Sequence, residues 1–479
     1  MPLSTIPVTV PILCVTAAGI AAMLAEAVRE PGERMPIGGL GLVGLAGAAA
    51  SAMLLWGRGG MAFGVLAADH FGLFFVMVLT VIGVLTMLLS PAVVEREDLP
   101  AGEYYALSLF ALAGMMLMVM ATDLLVIFLG LEVLSLAVYV LTALRRDAPA
   151  SVEGGFKYFI LGGFSSAFFL YGLAFIFGLT RTTKLDQIAI AFASGAGRHP
   201  ALAVVGIGLL LVGFGFKVSA VPFHMWTPDA YEGAPTIVSG FMSTGVKAAA
   251  FAAFVRVFAS AFEPMRDAWT PVLWVVAAVT MVLGTVVGVA QTNLKRMLAY
   301  SSIAHAGFIL VGLVAANDLG KSAILFYLLV YGVTNLGAFG IIALLGSRDR
   351  ANDDLPSMVG LSNRHPALAA AFSVVLLSLG GIPPTAGFVG KWYIFSAAVS
   401  PGDYGLAIIG VLTSVVSIFF YLRVIVMMYM ADPVDIPGSP PPTRAAAIAV
   451  AAVLVVTFYL GVLPTSLLGL AARSVGSLP

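Results

Sequence analysis

The stretch "GFGFKVSAVPFHMWTPDAYEGAPT", residues 213–236, begins as an apolar run and then places Lys217, Pro222, His224, Asp229 and Glu232 in quick succession. Whether Lys217 lies at a surface or inside a membrane decides the fold. Composition answers the question. Of 479 residues, 60% are hydrophobic and 10% are charged, and the mean hydropathy is +1.04. No soluble domain of this length has that make-up. The run around Lys217 therefore reads as a membrane span, and the lysine as a charge placed in hydrocarbon.

The formal net charge is zero, which points away from a nucleic-acid partner or an acidic substrate. A single cysteine, Cys14, excludes a disulfide framework or a cysteine-ligated cluster within the chain. It reads as a small apolar residue of the first helix. The first 30 residues lack the basic start of a cleaved signal peptide, and the apolar run Pro7 to Val28 is long enough to span.

Working outward, an all-α, polytopic membrane protein of about fourteen spans emerges. The runs lie at about 7–28, 37–57, 70–90, 104–121, 123–143, 155–180, 201–226, 236–259, 270–290, 296–315, 320–345, 366–398, 404–430 and 444–470, numbered here as spans 1 to 14. Loops are short and no extramembrane domain separates them. "DIPGSPPPTR", 435–444, is a proline-rich loop before span 14, and "GGLGLVGLAG", 38–47, reads as close helix packing. With the N-terminus outside, the inner loops and helix ends hold about thirteen Lys and Arg against about eight on the outer side. That inner set includes Arg34, Arg348 and Arg350, and the outer set Arg198. The bias puts both termini outside.

Four charges belong to neither side. Glu132 falls in span 5, Lys217 in span 7, Lys247 in span 8 and Lys391 in the second half of span 12. Each mid-bilayer charge costs roughly 2.5–3.5 kcal/mol, about 10–14 kcal/mol for four if uncompensated. Such groups face the bundle interior, pair with one another or with water, and mark ion paths. A buried ion pair serving packing alone gives little reason to keep them, since apolar residues of equal volume do as well.

Lysine suits proton exchange better than arginine, because its pKa falls in a dry site whereas a guanidinium keeps its proton. Glutamate shifts the other way, so a Glu–Lys pair of variable separation is a workable proton switch. His224, about two helical turns beyond Lys217, and His305, within span 10, are candidate intermediates or merely hydrogen-bonded imidazoles. His70, His199 and His365 flank spans and read as solvated. Pro222 interrupts span 7, and "SLGGIPPTAGFVGKW", 378–392, interrupts span 12 at Pro383 and Pro384 before Lys391. Freed backbone groups at this depth survive only within protein or beside a water-filled cavity. Two broken helices five spans apart suggest a repeat. Spans 4–8 and 9–13 form its units, and an odd number of helices inverts the second. The divisions expected are an N-terminal three-helix segment (1–100), a first repeat (101–260), a second repeat (261–431) and a C-terminal helix (432–479).

"FKVSAVPFHMWTPDAYEGAPT" (216–236), "STGVKAAAFAAFVRVF" (243–258), "LGLEVLSLAVYVL" (129–141) and "NLKRMLAYSSIAHAGF" (293–308) together resemble the proton-translocating, antiporter-like membrane subunits of respiratory complex I. The resemblance covers nearly the whole chain. Its motifs are shared with Mrp-type cation/proton antiporters and membrane-bound hydrogenase subunits. Within the family it is closest to the N-type subunits of bacterial NADH-quinone oxidoreductase. The glutamate motif reads "GLEVLSLAVY", span 12 carries Lys391 where M-type subunits have glutamate, and no long lateral helix of the L type follows.

That resemblance implies roles. Glu132 would pair with Lys217 on the cytoplasmic half-channel. Lys247 would bridge to the second repeat with His305 nearby, and Lys391 would pass the proton to the outer side or to a neighbouring subunit. Glu153 and Lys157 match positions where protons enter, or are ordinary interfacial charges. Asp229 and Glu232 read as a cap or tie of the turn into span 8. The sequence holds no Rossmann fingerprint, phosphate loop, metal-ligand set or cluster-binding cysteine set. The resemblance therefore places NADH, FMN, Fe-S clusters and quinone in other subunits. It implies subunits M, K and J as neighbours, together with membrane lipid, in a bacterial inner membrane. The alternative is a subunit of a Mrp-type antiporter or of a membrane-bound hydrogenase.

Overall fold

The structure is a computed structural model and describes residues 6–30, 36–195, 200–346, 353–431 and 441–478. His199, the orientation residues Arg34, Arg198, Arg348 and Arg350, and positions 435–440 of the proline-rich loop lie outside the described residues.

Among the described residues, thirteen helices are long and apolar enough to cross a membrane. Span 12 makes the fourteenth crossing from two shorter helices, Pro366–Gly380 and Ala386–Val399. Span 7 is broken in the same manner. Its first half, Pro200–Val218, ends where Ser219 turns left-handed at φ +65°, and a second helix runs Trp226–Gly233. Pro222 lies in the first break, and Pro383 and Pro384 in the second. The interruptions expected from the prolines are thus present, but span 7 continues well past residue 226.

The two five-helix units repeat in detail. Spans 4 (Ala101–Met120) and 5 (Leu124–Thr142) correspond to spans 9 (Arg266–Val289) and 10 (Leu294–Ala315). Asp123 caps span 5 by accepting from Leu125 and Val126 N–H, and Asn293 caps span 10 by accepting from Arg296 N–H. Next to each cap the same antiparallel bridge forms. Leu124 N–H donates to Thr183 O (2.8 Å) and Leu185 N–H to Thr122 O (3.0 Å); Leu294 N–H donates to Asp353 O (2.6 Å) and Leu355 N–H to Thr292 O (2.9 Å). Arg256 of span 8 donates to Val119 O, and Arg423 of span 13 donates to Val289 O, each three residues before the threonine of its bridge. Five crossings separate the two bridges, so they sit at opposite ends of the bundle. This is the inverted repeat.

Glycine lets the first two helices of each unit pack closely. A Cβ on Gly114 would lie 2.7 Å from Leu134 N, and one on Gly284 would lie 2.6 Å from Ala304 N. A side chain larger than hydrogen would push span 4 from span 5, or span 9 from span 10.

The core is carried by the middle spans of the bundle. Span 8 (Thr236–Ala261) is buried along its whole apolar window, and spans 10 and 11 (Asp318–Leu345) are nearly so, whereas spans 1, 2, 6 and 14 face outward. Span 8 also contains two π-helical turns, Met242–Val246 and Val257–Ala261, on either side of the segment beginning at Lys247. Elements not expected from hydropathy are short. A hairpin pairs Met61–Ala62 with Leu66–Ala67, a helix Leu185–Ala193 separates spans 6 and 7, and span 14 ends at Val462 before a separate amphipathic helix, Thr465–Val475.

Candidate functional site: a buried polar axis

Lys217 occupies the end of the first half of span 7 and is 3% exposed. Its Nζ lies 3.5 Å from Tyr158 Oη, and 5.2 and 5.3 Å from the ring centres of Tyr158 and Tyr139. Aromatic faces and one hydroxyl thus replace water around the ammonium. Trp226, opening the second half-helix, stacks on Tyr158 at 4.0 Å and donates Nε1–H to Phe216 O at 3.0 Å. The break is stapled by the indole across the gap that Pro222 helps to make.

Glu132 is half-buried on span 5 and accepts a 2.5 Å hydrogen bond from Ser166 Oγ of span 6 (Pro149–Thr180). Among the described residues, no cation lies within ion-pair distance of it. The expected Glu132–Lys217 pair is therefore not in contact. A cavity of about 10 Å³ is lined by Ser166, Gly162, Gly213 and Lys217 among others, beside the Ser166 that bonds Glu132.

Lys247 points from span 8 to span 10, donating to Ser302 O at 2.6 Å and to its Oγ at 2.5 Å. One turn on, His305 is held at both ring nitrogens. Nδ1 is 2.6 Å from Tyr327 Oη and Nε2 is 3.3 Å from Tyr421 Oη, whose hydroxyl also bonds Ser301. Tyr331 lies against both groups, its ring 5.1 Å from His305 and 5.9 Å from Lys247 Nζ. Lys391 uses the second break directly. It donates to Gly380 O (3.0 Å), a carbonyl released where Gly381 turns at φ +82°, and to Ser414 Oγ (2.8 Å) of span 13 (Tyr404–Met430). Lys217, Lys247, His305 and Lys391 all lie buried, each with hydroxyl or carbonyl partners and none with a carboxylate in contact.

His224 stands apart. It sits in the span 7 break, half-buried, and its Nδ1 is buried with no hydrogen-bond partner. No hydrogen bond or ring contact joins it to Lys217 among the described residues. His70, read as solvated, is instead half-buried: it stacks on Trp56 and bonds Trp56 O at 2.8 Å.

A second polar group lies at one end of spans 6, 7 and 10. Glu153 meets Lys157 at 2.7 Å, Lys157 meets Asp229 at 2.8 Å, and Arg296 bridges Asp229 and Glu232 at 2.8 Å each. Asp229 and Glu232 thus tie the second half of span 7 to spans 6 and 10; they cap no helix. Lys295, buried beside them, donates to the carbonyls of Glu232 and Ala234 at 2.6 and 2.7 Å. Hydropathy reading missed Lys295 because it sits at a span end, where a lysine is unremarked. It missed Ser166, Ser302, Ser414 and the tyrosines because hydroxyls occur throughout these helices.

The family described as "NADH:quinone oxidoreductase/Mrp antiporter, TM" matches residues 121–417, the part that holds Glu132, the three lysines and both breaks. Relatives match further. Subunit N of the NADH-quinone oxidoreductase of Trichlorobacter lovleyi is 45% identical over 88% of this chain and 87% of its own length. Subunit N 1 of Solibacter usitatus is 40% identical over 98% of this chain and 96% of its own. The chain belongs to the subunit N family of NADH-quinone oxidoreductases. A chain of the respiratory complex I of Thermus thermophilus superposes with a TM-score of 0.82 at 37% identity, covering 96% of this chain and 99% of that one. A chain of the Mrp complex of Dietzia superposes at 0.84 with 23% identity, covering 100% and 98%, which shows a shared fold. The chain is thus a multi-pass membrane protein of an antiporter-like fold, and its charged axis lies within the part that the family model matches.

Proposed function

We infer that this chain is a proton-translocating membrane subunit of NADH-quinone oxidoreductase, and that its buried axis carries the protons. Membership of the subunit N family supports the first part. The observation that carries the second is the row of buried groups Lys217, Lys247, His305 and Lys391, every one hydrogen-bonded to neutral partners. A cationic side chain held this way can lose or regain its proton without dismantling an ion pair. Glu132 acts as the switch on Lys217, the Lys247–Ser302 contact passes the signal to the second unit, and Lys391 faces the exit or the next subunit. The polar group around Glu153 and Lys157 supplies protons from the inner side. His224, with a free Nδ1 in the span 7 break, serves as a side acceptor apart from the main row.

The reading extends to setting. Both termini face the periplasm in a bacterial inner membrane, subunits M, K and J are the neighbours, and NADH, FMN, Fe-S clusters and quinone belong to other chains. Residues 101–260 and 261–431 act as the two transport units, flanked by 1–100 and 432–479. The Mrp-type and hydrogenase-type alternatives share the fold, but the relatives at 40–48% identity are subunit N proteins. The test is purification of the native assembly with identification of its chains, and NADH-driven proton uptake by inverted vesicles. Companion chains of an antiporter, or electron transfer without proton uptake, would overturn the reading.

A further inference from the structure

The hydroxyl of Ser166 breaks a habit of this molecule. Most hydroxyls within its spans bond back to the carbonyl four residues earlier, as Ser108 does to Tyr104 O, Thr142 to Val138 O and Thr180 to Ile176 O. Ser166 has the same option at Gly162 O. It points instead across to span 5, onto Glu132 Oε1 at 2.5 Å. Glu132 has no cation in contact among the described residues, although Lys217 lines the cavity that Ser166 also lines. That cavity, about 10 Å³, is near the lower limit for one water, and Ser165, Ser166 and Lys217 give such a water polar partners. Gly162 keeps the region open to Tyr139, since a Cβ there would collide with the Tyr139 hydroxyl.

We propose that Ser166 is a positioning residue for proton transfer, a latch that holds Glu132 away from Lys217 and frees it by rotating. Bonded to Ser166, the carboxylate is kept out of ion-pair contact with the ammonium, and the cavity beside Ser166 and Lys217 has room for a single water. When Ser166 turns to its own Gly162 carbonyl, the hydroxyl keeps a bond and the carboxylate is released to approach Lys217. The two positions differ by one charge-assisted hydrogen bond, so a small signal from elsewhere in the protein can choose between them. The inference rests on the proton-transfer reading of Glu132 and Lys217.

The test is made in the assembled complex, in inverted membrane vesicles. Ser166→Ala removes the latch, and Ser166→Thr retains a hydroxyl. Expected is a roughly tenfold loss of NADH-driven proton uptake for Ser166→Ala, the size of one hydrogen bond to a charged group, with a shifted pH profile. Ser166→Thr restores both. Infrared difference spectra should show a displaced Glu132 carboxyl band in Ser166→Ala, absent in Glu132→Gln; a packing role for Ser166 would not move that band. If Ser166→Ala lowers the amount of assembled complex, Ser166→Cys, similar in shape but a weak donor, takes its place. An unchanged band and unchanged uptake in the variant while Glu132→Gln and Lys217→Met both fail overturn the latch alone. Normal uptake in Glu132→Gln and Lys217→Met overturns the underlying reading as well.

Discussion

Lys247 Nζ lies 2.6 Å from the backbone oxygen of Ser302 and 2.5 Å from its hydroxyl, which joins span 8 to span 10 one turn before His305. The lysine therefore touches the second repeat while standing in the first. Its Tyr331 neighbour also faces His305, so one ring lies against groups of both units.

Lys247→Ala and Lys217→Ala are each expected to cut coupled proton uptake by roughly tenfold or more, since a positioned proton carrier contributes about 10²–10⁴-fold to its own step. Assembly should survive, because the partners left behind are hydroxyls and carbonyls rather than stranded charges. Uptake and quinone reduction are measured per assembled complex. Normal uptake in the double variant would remove the axis from the mechanism.

Lys217→Arg keeps the positive charge but should impair transfer nearly as much as alanine. The guanidinium does not release its proton, and it must fit among Tyr139, Tyr158 and Phe216, which surround the present ammonium. Full activity of the arginine variant would instead mean that the site needs only a fixed charge.

Glu132 and Lys217 should behave as one unit although they do not touch. Glu132→Gln and Lys217→Met each disrupt uptake, and the double variant should be little worse than the more severe single one. The four members of the cycle are compared in vesicles at equal assembly. Losses that add on a logarithmic scale would mean independent sites, with Lys247 the next partner to try for the glutamate.

Gly114→Ala and Gly284→Ala test the repeat itself. Each places a Cβ within 2.7 Å of backbone on the facing helix, and overpacking of this kind costs about 1–3 kcal/mol. Both should reduce thermal stability of the assembled complex by similar amounts. Gly39→Ala, where a Cβ meets nothing within 4 Å, is the control and should leave stability unchanged.

Much of the fold was legible because hydrocarbon imposes a simple rule on sequence. Every span must be long and apolar, so span number and approximate limits could be read directly, and so could the three lysines and one glutamate that break the rule. The prolines announced both helix breaks. Their extent was not announced: span 7 resumes at Trp226 because an indole stacks on Tyr158, which is a contact between helices rather than a local preference. The π-helical turns beside Lys247 carry no proline and no glycine run, and hydropathy is blind to them.

The sequence by itself determined a fourteen-span membrane protein, its doubled and broken plan, and which ionisable groups fall within the apolar spans, since burial cost in a bilayer depends on residue type and position along the chain. Only the tertiary structure decided partners. It placed Ser166 rather than Lys217 on Glu132, Ser302 on Lys247, two tyrosines on His305, and the free Gly380 carbonyl on Lys391. Partner choice depends on angstrom-scale register between helices far apart in sequence. Hydroxyls and carbonyls suited to such contacts occur on nearly every turn, so only packing selects which of them a buried charge will meet.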